Sequence, residues 1–574
     1  MILMKLNTIV FLFLISTMKL IAQSTYHPPL LIPLSLAANF GELRPNHFHM
    51  GVDFKTNGKE GLPLYAIEDG YVARVKISPN GYGKVIYVNH QNNITSVYAH
   101  CSRFLGKLDS IILQKQKESK NFEVEFYLNA TELLLQKGEH FAYSGNSGSS
   151  TGPHLHFELR NTITEAALNP LKFGFDIKDT KPPQITSLKV VALTKKGYQI
   201  PNKSLLFPVK KNSKGFSISN NTLEIPANFC SIDGGQALSF EVNDFIDGST
   251  HTCGIYESHL SSLGDTLFQQ RMDSIYFDHS RFVNSHKDYD EYLKTKRKFN
   301  KAYKVEHNPL TIYPINQIGI LTLQPGDSIQ LNYTANDVKN NATSIDFTLK
   351  ANKGERNNLA AFYAPSTHFI PDSSYFFQGD NYSIFIPAFT FYEPVKKLVD
   401  TSYPNLILGN QKDPIQLPIS LSLKPIASNV TIEKQYIKVN NSYIKTTLNA
   451  SNWLTSETKN LGKINIGIDT LAPVIVALNF KTTDTLLTKK IVTWRITESQ
   501  TEIIDYDLFI DNVWHVLEYE KKGSYLIATL PTLTNEPHSI EINARDACQN
   551  TGSWKWLGWL SKQPIKEESP AKID

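Results

Sequence analysis

Between Leu64 and His100 apolar and polar residues run in short alternating stretches broken by turn formers. "YVARVKI" (71–77) alternates, "SPNGYG" turns, "KVIYVNH" (84–90) continues the run, "QNN" turns, and "ITSVYAH" (94–100) follows. Period-two patterning bounded by Gly, Pro, Asn and Ser predicts a β-meander. Segments stay short and rich in Val, Ile, Thr, Tyr and Phe to the C-terminus, so the expected fold class is all-β. Helical spacing is rare, and "LNATELLLQ" (128–136) is one candidate short helix.

Two internal echoes suggest boundaries. "DTKPPQITSLKV" at Asp179 returns as "DTLAPVIVALNF" at Asp469, each opening a strand after a proline-bearing linker. "FEVNDFIDGS" (Phe240), "LNYTANDVKNNAT" (Leu331) and "IEINARDACQNTGS" (Ile540) each read as a strand ending in an Asp-containing turn, a corner common in immunoglobulin-like sandwiches. Neither echo has a short period, which excludes a solenoid. The expected division is an N-terminal domain over 23–177, a β-sandwich over 178–350, a β-rich domain over 351–467, and a C-terminal immunoglobulin-like domain with a short tail over 468–574.

A chain of 574 residues suits about four domains. The 58 basic and 54 acidic residues nearly cancel, leaving +4 and no dense basic cluster, so nucleic-acid binding is not expected. The first residues, "MILMKLNTIVFLFLISTMKLIAQS", have Lys5, an apolar core from Ile9 to Ile15, and Ala22 before Gln23. That is the layout of a secretory signal peptide over 1–22, with an apolar run short of the roughly 20 residues a bilayer requires. An exported mature chain with no membrane span is expected, periplasmic or extracellular at the cell envelope. Four cysteines are too few for a disulfide framework; Cys230 and Cys253 either pair or stay buried thiols.

Candidate chemistry concentrates near the start. Eight of the 16 histidines fall between residues 27 and 156. In "SGNSGSSTGPHLHFELR" (144–160) a loop with three glycines, expected to let substrate backbone come close, feeds "HLHFEL". On a strand, His154, His156 and Glu158 share one face and Leu155, Phe157 and Leu159 the other. A lone His-x-His pair is commonly an ordinary exposed pair, so partners decide. In "NHFHMGVDF" the even spacing of His49 and Asp53 puts both on one side of a strand, and in "SVYAH" Tyr98 and His100 share a face. Imidazoles with one carboxylate suit Zn²⁺, and three protein ligands leave a fourth position for water.

"HMGVDF", "VYAH" and "GNSGSSTGPHLHFELR", in this order, resemble the lysostaphin/LytM-type zinc metallopeptidases, a peptidoglycan endopeptidase family. The resemblance covers about residues 40–172. It implies an antiparallel β-sheet metallopeptidase domain in which His49, Asp53 and His156 bind zinc, and His100 and His154 are catalytic without binding it. His47 makes a second His-x-His, but the family pattern favours His49 as ligand. Cys101 is expected in the core, and Glu158 is either a partner of a ligand or a surface carboxylate. The long segment from Phe104 to Lys137 either walls the groove or decorates the fold.

The function implied is a zinc-dependent endopeptidase cutting peptidoglycan stem-peptide cross-links, of the D-Ala–diamino-acid type. The alternative is a catalytically silent scaffold that activates another cell-wall hydrolase, against which stands the presence of all five residues. The sandwiches would bind glycan or envelope protein. Tryptophans such as Trp554 and Trp556 are expected on one face of a strand, opposite Trp559, as sandwich core or as a small exposed binding strip.

Overall fold

The computed structural model describes residues 26–560, apart from 214, 231–233, 357–361, 488 and 532–535. The signal peptide expected over 1–22 lies outside the described residues. Among them, no helix is long and apolar enough to cross a membrane.

The N-terminal strands are β1 (Leu36–Ala38), β2 (Val52–Lys55), β3 (Pro63–Tyr65), β4 (Gly70–Ile77), β5 (Lys84–His90), β6 (Ile94–Ala99), β7 (Arg103–Phe104), β8 (Val124–Tyr127), β9 (Leu134–Leu135), β10 (His140–Tyr143), β11 (His154–Asn161) and β12 (Ala167–Leu168). The main sheet runs β1-β2-β11-β6-β5-β4-β8, with a small sheet β3-β10-β7 beside it. The predicted meander is β4-β5-β6, paired antiparallel. Along β11, Leu155, Phe157 and Leu159 are fully buried, and the Tyr98 ring meets Phe157 edge-on at 5.3 Å. The all-β expectation holds, with short helical pieces.

One local expectation fails, and one open alternative is decided. Residues 128–136 form no helix: the chain turns near Ala130, and β9 pairs with the start of β4. Leu133 and Leu135 are buried and Leu134 is exposed, so the leucine run is read with period two. The helix present is α1 (Gly106–Ser119), which buries Leu108, Ile112 and Gln116 at i, i+4 and i+8. The segment from Phe104 to Lys137 does not wall the site. Its strand β8 lies at the far edge of the sheet, beyond β6, β5 and β4 from β11.

Three two-sheet sandwiches follow, with cores centred on Phe240, Tyr333 and Leu349, then Ile384, Leu421 and Ile437, then Trp494, Leu508 and Ile542. Trp554 and Trp556 belong to the last core, whereas Trp559 on the opposite face is exposed. The first sandwich intrudes on the N-terminal core: Met272, Ile275, Val283, Leu310 and Ile312 pack into it, and Ser274–Ile275 pairs with β12. All four cysteines are free and buried, so Cys230 and Cys253 are not bridged.

Candidate metal centre

Strand register places the central pair. His156 on β11 sits opposite Asp53 on β2 and Ala99 on β6. Val52 and Phe54 turn into the core, so Asp53 turns outward with His156. His49 arrives differently from the even-spacing expectation. It precedes β2 and exchanges backbone hydrogen bonds with Gly41 and Glu42, so the connection rather than strand alternation aims it. Gly51 makes this possible, because a Cβ there would lie 2.4 Å from Phe157 O and 3.1 Å from His156 Nε2.

His100 also departs from expectation. Alternation along β6 sends Tyr98 into the core beside Phe141 and Phe157, and would send His100 after it. The strand instead ends at Ala99, and His100 has a φ of 60°, a left-handed turn that throws its ring onto the face of His156. Nor do the loop glycines serve mainly for substrate approach. A Cβ on Gly148 would lie 2.3 Å from Gly83 N, so this loop packs against the turn before β5.

Three donor atoms converge. His49 Nε2 lies 3.1 Å from Asp53 Oδ1 and 3.1 Å from His156 Nδ1, and His156 Nδ1 lies 2.9 Å from Asp53 Oδ1. Tetrahedral zinc with bonds of about 2.0–2.1 Å spaces its ligands about 3.3 Å apart, a few tenths of an ångström from this triangle. Each ring is oriented from behind. His49 Nδ1 donates to Asn39 O at 2.8 Å, and His156 Nε2 donates to Glu158 Oε1 at 2.9 Å, which leaves the facing nitrogens as lone-pair donors. The residues fit the metal in number, chemistry and tautomer.

His154 and His100 complete the cluster, their rings 4.9 Å apart. His154 Nδ1 donates to Gly152 O and His100 Nδ1 to Ser147 O, both at 2.8 Å. Their Nε2 atoms are thereby free acceptors, and that of His154 is 3.5 Å from Asp53 Oδ1. Burial and the neighbouring His156 and His154 lower the His100 pKa to about 3, so this ring stays neutral.

Glu158 is no surface carboxylate. It is fully buried and accepts from His156, from the Tyr82 hydroxyl, and from Arg160 Nε at 2.7 Å. Burial opposes its charge, but Arg160 and His156 hold its pKa near 2. Burial likewise opposes a charged His156, yet Asp53 and Glu158 raise it to about 9, so this pocket favours positive charge. Tyr82 and Arg160 were not foreseen. Arg160 was legible, since it continues the period-two face of His154, His156 and Glu158; Tyr82, in a turn, gave no signal. His47 is exposed, Cys101 is buried, and Lys287 of the first sandwich donates to Arg44 O and Pro45 O at 2.9 and 2.8 Å.

Residues 47–117 match Peptidase family M23. This stretch contains His49, Asp53 and His100; His154 and His156 lie beyond it. Over 131 residues the chain is 34% identical to an uncharacterized metalloprotease of Haemophilus influenzae, spanning 23% of this chain and 21% of that one. Over 123 residues it is 30% identical to the DD-carboxypeptidase/endopeptidase Mpg of Neisseria meningitidis, spanning 21% and 22%. The catalytic domain of the prophage-encoded M23 protein EnpA from Enterococcus faecalis aligns over 25% of this chain and 95% of its own, at 25% identity and a TM-score of 0.19. The similarity thus spans about a fifth of the length of these two curated relatives.

Proposed function

We propose that the protein is an exported zinc-dependent endopeptidase that hydrolyses peptide cross-links of peptidoglycan, a reading that starts from the match of residues 47–117 to Peptidase family M23. The observation that carries this reading is the set of four imidazoles around Asp53, each anchored through one nitrogen and presenting the other to a common centre. His49, Asp53 and His156 would hold the ion. Zinc bound there would lower the pKa of a water and polarise the scissile carbonyl.

The remaining steps fall to side chains. His154 Nε2 takes the proton from the attacking water, and Asp53 beside it stabilises the resulting imidazolium; the same nitrogen then delivers the proton to the leaving amine. His100, buried and crowded by two histidines, resists protonation. Its free Nε2 serves to accept a hydrogen bond from the attacking water and so orient it. Glu158, through His156, keeps the ligand tautomer fixed.

The reading assigns the peptidase to residues 23–177 and three sandwich units to 178–350, 351–467 and 468–574, which position it at the envelope. D-Ala–diamino-acid bridges are the proposed bonds, supported by the name of the Neisseria relative. The test is muropeptide mass spectrometry of cross-linked sacculi incubated with the zinc-loaded chain. Loss of dimers with matching gain of monomers, absent for His154→Ala, is expected. Unchanged dimers with the wild-type chain would reject it.

A further inference from the structure

We propose that Asp179, Asp244 and Asp337 form a calcium-binding site at the junction between the N-terminal domain and the first sandwich. Asp179 lies in the linker, Asp244 near the end of the strand Gly235–Phe245, and Asp337 just after the strand Ser328–Asn336. One carboxylate oxygen from each lies within 4.8 Å of the others. Asp244 and Asp337 are each only 2% exposed. Carboxylates gathered this closely repel one another, and among the described residues none of the three forms an ion pair with a lysine or arginine.

Two observations beyond the cluster point to a ligand. Asp244 Oδ1 is buried and has no hydrogen-bond partner among the described residues. A buried acceptor left unpaired is costly unless something unseen satisfies it. The three aspartates also line one cavity of about 20 Å³, room for a single occupant of water or bare-ion size. Asn341 keeps Asp337 in place, donating to it from N at 2.9 Å and from Nδ2 at 2.6 Å.

The second acidic cluster, Asp469, Glu498 and Asp546, provides an internal contrast. It repeats the frame almost bond for bond: Asn550 Nδ2 donates to Asp469 O at 3.2 Å, as Asn341 Nδ2 does to Asp179 O. Asn550 donates to both oxygens of Asp546 as Asn341 does to Asp337, and Leu471 N donates to Asp469 as Lys181 N does to Asp179; the second cluster differs in adding Thr501 Oγ1 on Asp469 and two backbone amides on Glu498. The contrast lies in the third carboxylate: Glu498 is held by donors, whereas Asp244 lines the cavity with one oxygen unpaired.

An all-oxygen donor set with three carboxylates is the chemistry of a hard divalent cation. Calcium takes six to eight oxygen ligands in flexible geometry, whereas magnesium demands a strict octahedron, so calcium is the ion assigned to this site. The site also touches the metal centre. Asn39 lines the same cavity, exchanges side-chain hydrogen bonds with Gly254 of the sandwich, and holds His49 Nδ1 through its carbonyl oxygen. A cation there would clamp the sandwich against the element that carries a zinc ligand.

The test uses the full-length zinc-loaded chain in calcium-depleted buffer. Terbium, excited through Tyr256 of the cavity wall, should luminesce and be displaced by calcium but not by equal magnesium. Calcium affinity by calorimetry should fall at least tenfold in Asp244→Asn and stay unchanged in Glu498→Gln. Tyr256→Phe should lose most terbium emission while keeping calcium affinity, which decides the matter even if Asp244→Asn does not fold. No calcium heat, equal affinity in Asp244→Asn, loss confined to Glu498→Gln, displacement by magnesium, or full emission from Tyr256→Phe would each overturn the proposal. None of these readouts uses peptidase activity, so the site stands or falls apart from the proposed reaction.

Discussion

Gly51 and Glu158 are two residues on which the geometry of the candidate metal centre turns, one by having no side chain and the other by having a buried charge. A methyl group at Gly51 would press on Phe157 O at 2.4 Å and on His156 Nε2. Relief requires β2 to move from β11 at the point where Asp53 faces His156. Gly51→Ala should lower zinc affinity at least tenfold in competition with a chromophoric chelator, at a stability cost of about 1–3 kcal/mol. Glu158→Gln acts from behind the ligand. It deprives Arg160 of a buried anion and loosens the His156 tautomer, and partners of this kind change metal affinity by about 10–100-fold. A folded Glu158→Gln protein that binds zinc as tightly as the wild type would remove Glu158 from the positioning role.

At the scale of elements, much was legible where period two governs. The meander β4-β5-β6 and the split faces of β11 follow from alternation, because each strand has one face on a core. His49 and His100 were singled out by spacing and given roles by family likeness, but their routes to the site were misread, because a left-handed residue and a non-strand connection leave no periodic trace. Helix α1 was missed because its buried stripe is three residues with a polar Gln116 among them, and no side chain caps its start. The short helix Val283–His286 shows what patterning cannot convey. His286 is fully buried, its Nδ1 2.9 Å from the Tyr313 hydroxyl, and burial lowers its pKa to about 3. The unfolded chain binds this proton near pH 6.5 and the folded chain does not, so stability is full above that pH and is lost as pH falls toward 3. At pH 5 the loss is about 2 kcal/mol. Urea unfolding at pH 7.5 and pH 5 should show that difference shrinking by this amount in His286→Gln; an unchanged difference would mean that His286 already carries its proton in the fold.

Across the whole molecule, polar contacts link the units into a closed circuit. Asn39 meets Gly254, Arg281 donates to Ile415 O at 2.8 Å, Lys434 donates to Cys548 O at 3.0 Å, and Lys84 pairs with Glu518 at 2.8 Å. The last contact returns the C-terminal sandwich to the N-terminal domain, where Tyr506 and Val516 also pack against the core and Lys522 donates to Asn146 O. Asn146 precedes Ser147, whose carbonyl oxygen holds His100, so closure of the circuit bears on a side chain with a proposed catalytic role. A partly exposed pair contributes little when merely deleted. Charge reversal is stronger, because Glu518→Lys sets two ammonium groups together at Lys84, and Lys522→Glu sets a carboxylate against a carbonyl oxygen. The double variant should show a larger radius of gyration by small-angle X-ray scattering and an unchanged zinc content, since all three proposed ligands lie in the N-terminal domain. Its turnover should fall several-fold as the Asn146–Ser147 loop loses its outer support. Scattering identical to the wild type would show that apolar packing at Tyr506 and Val516 closes the circuit without these charges.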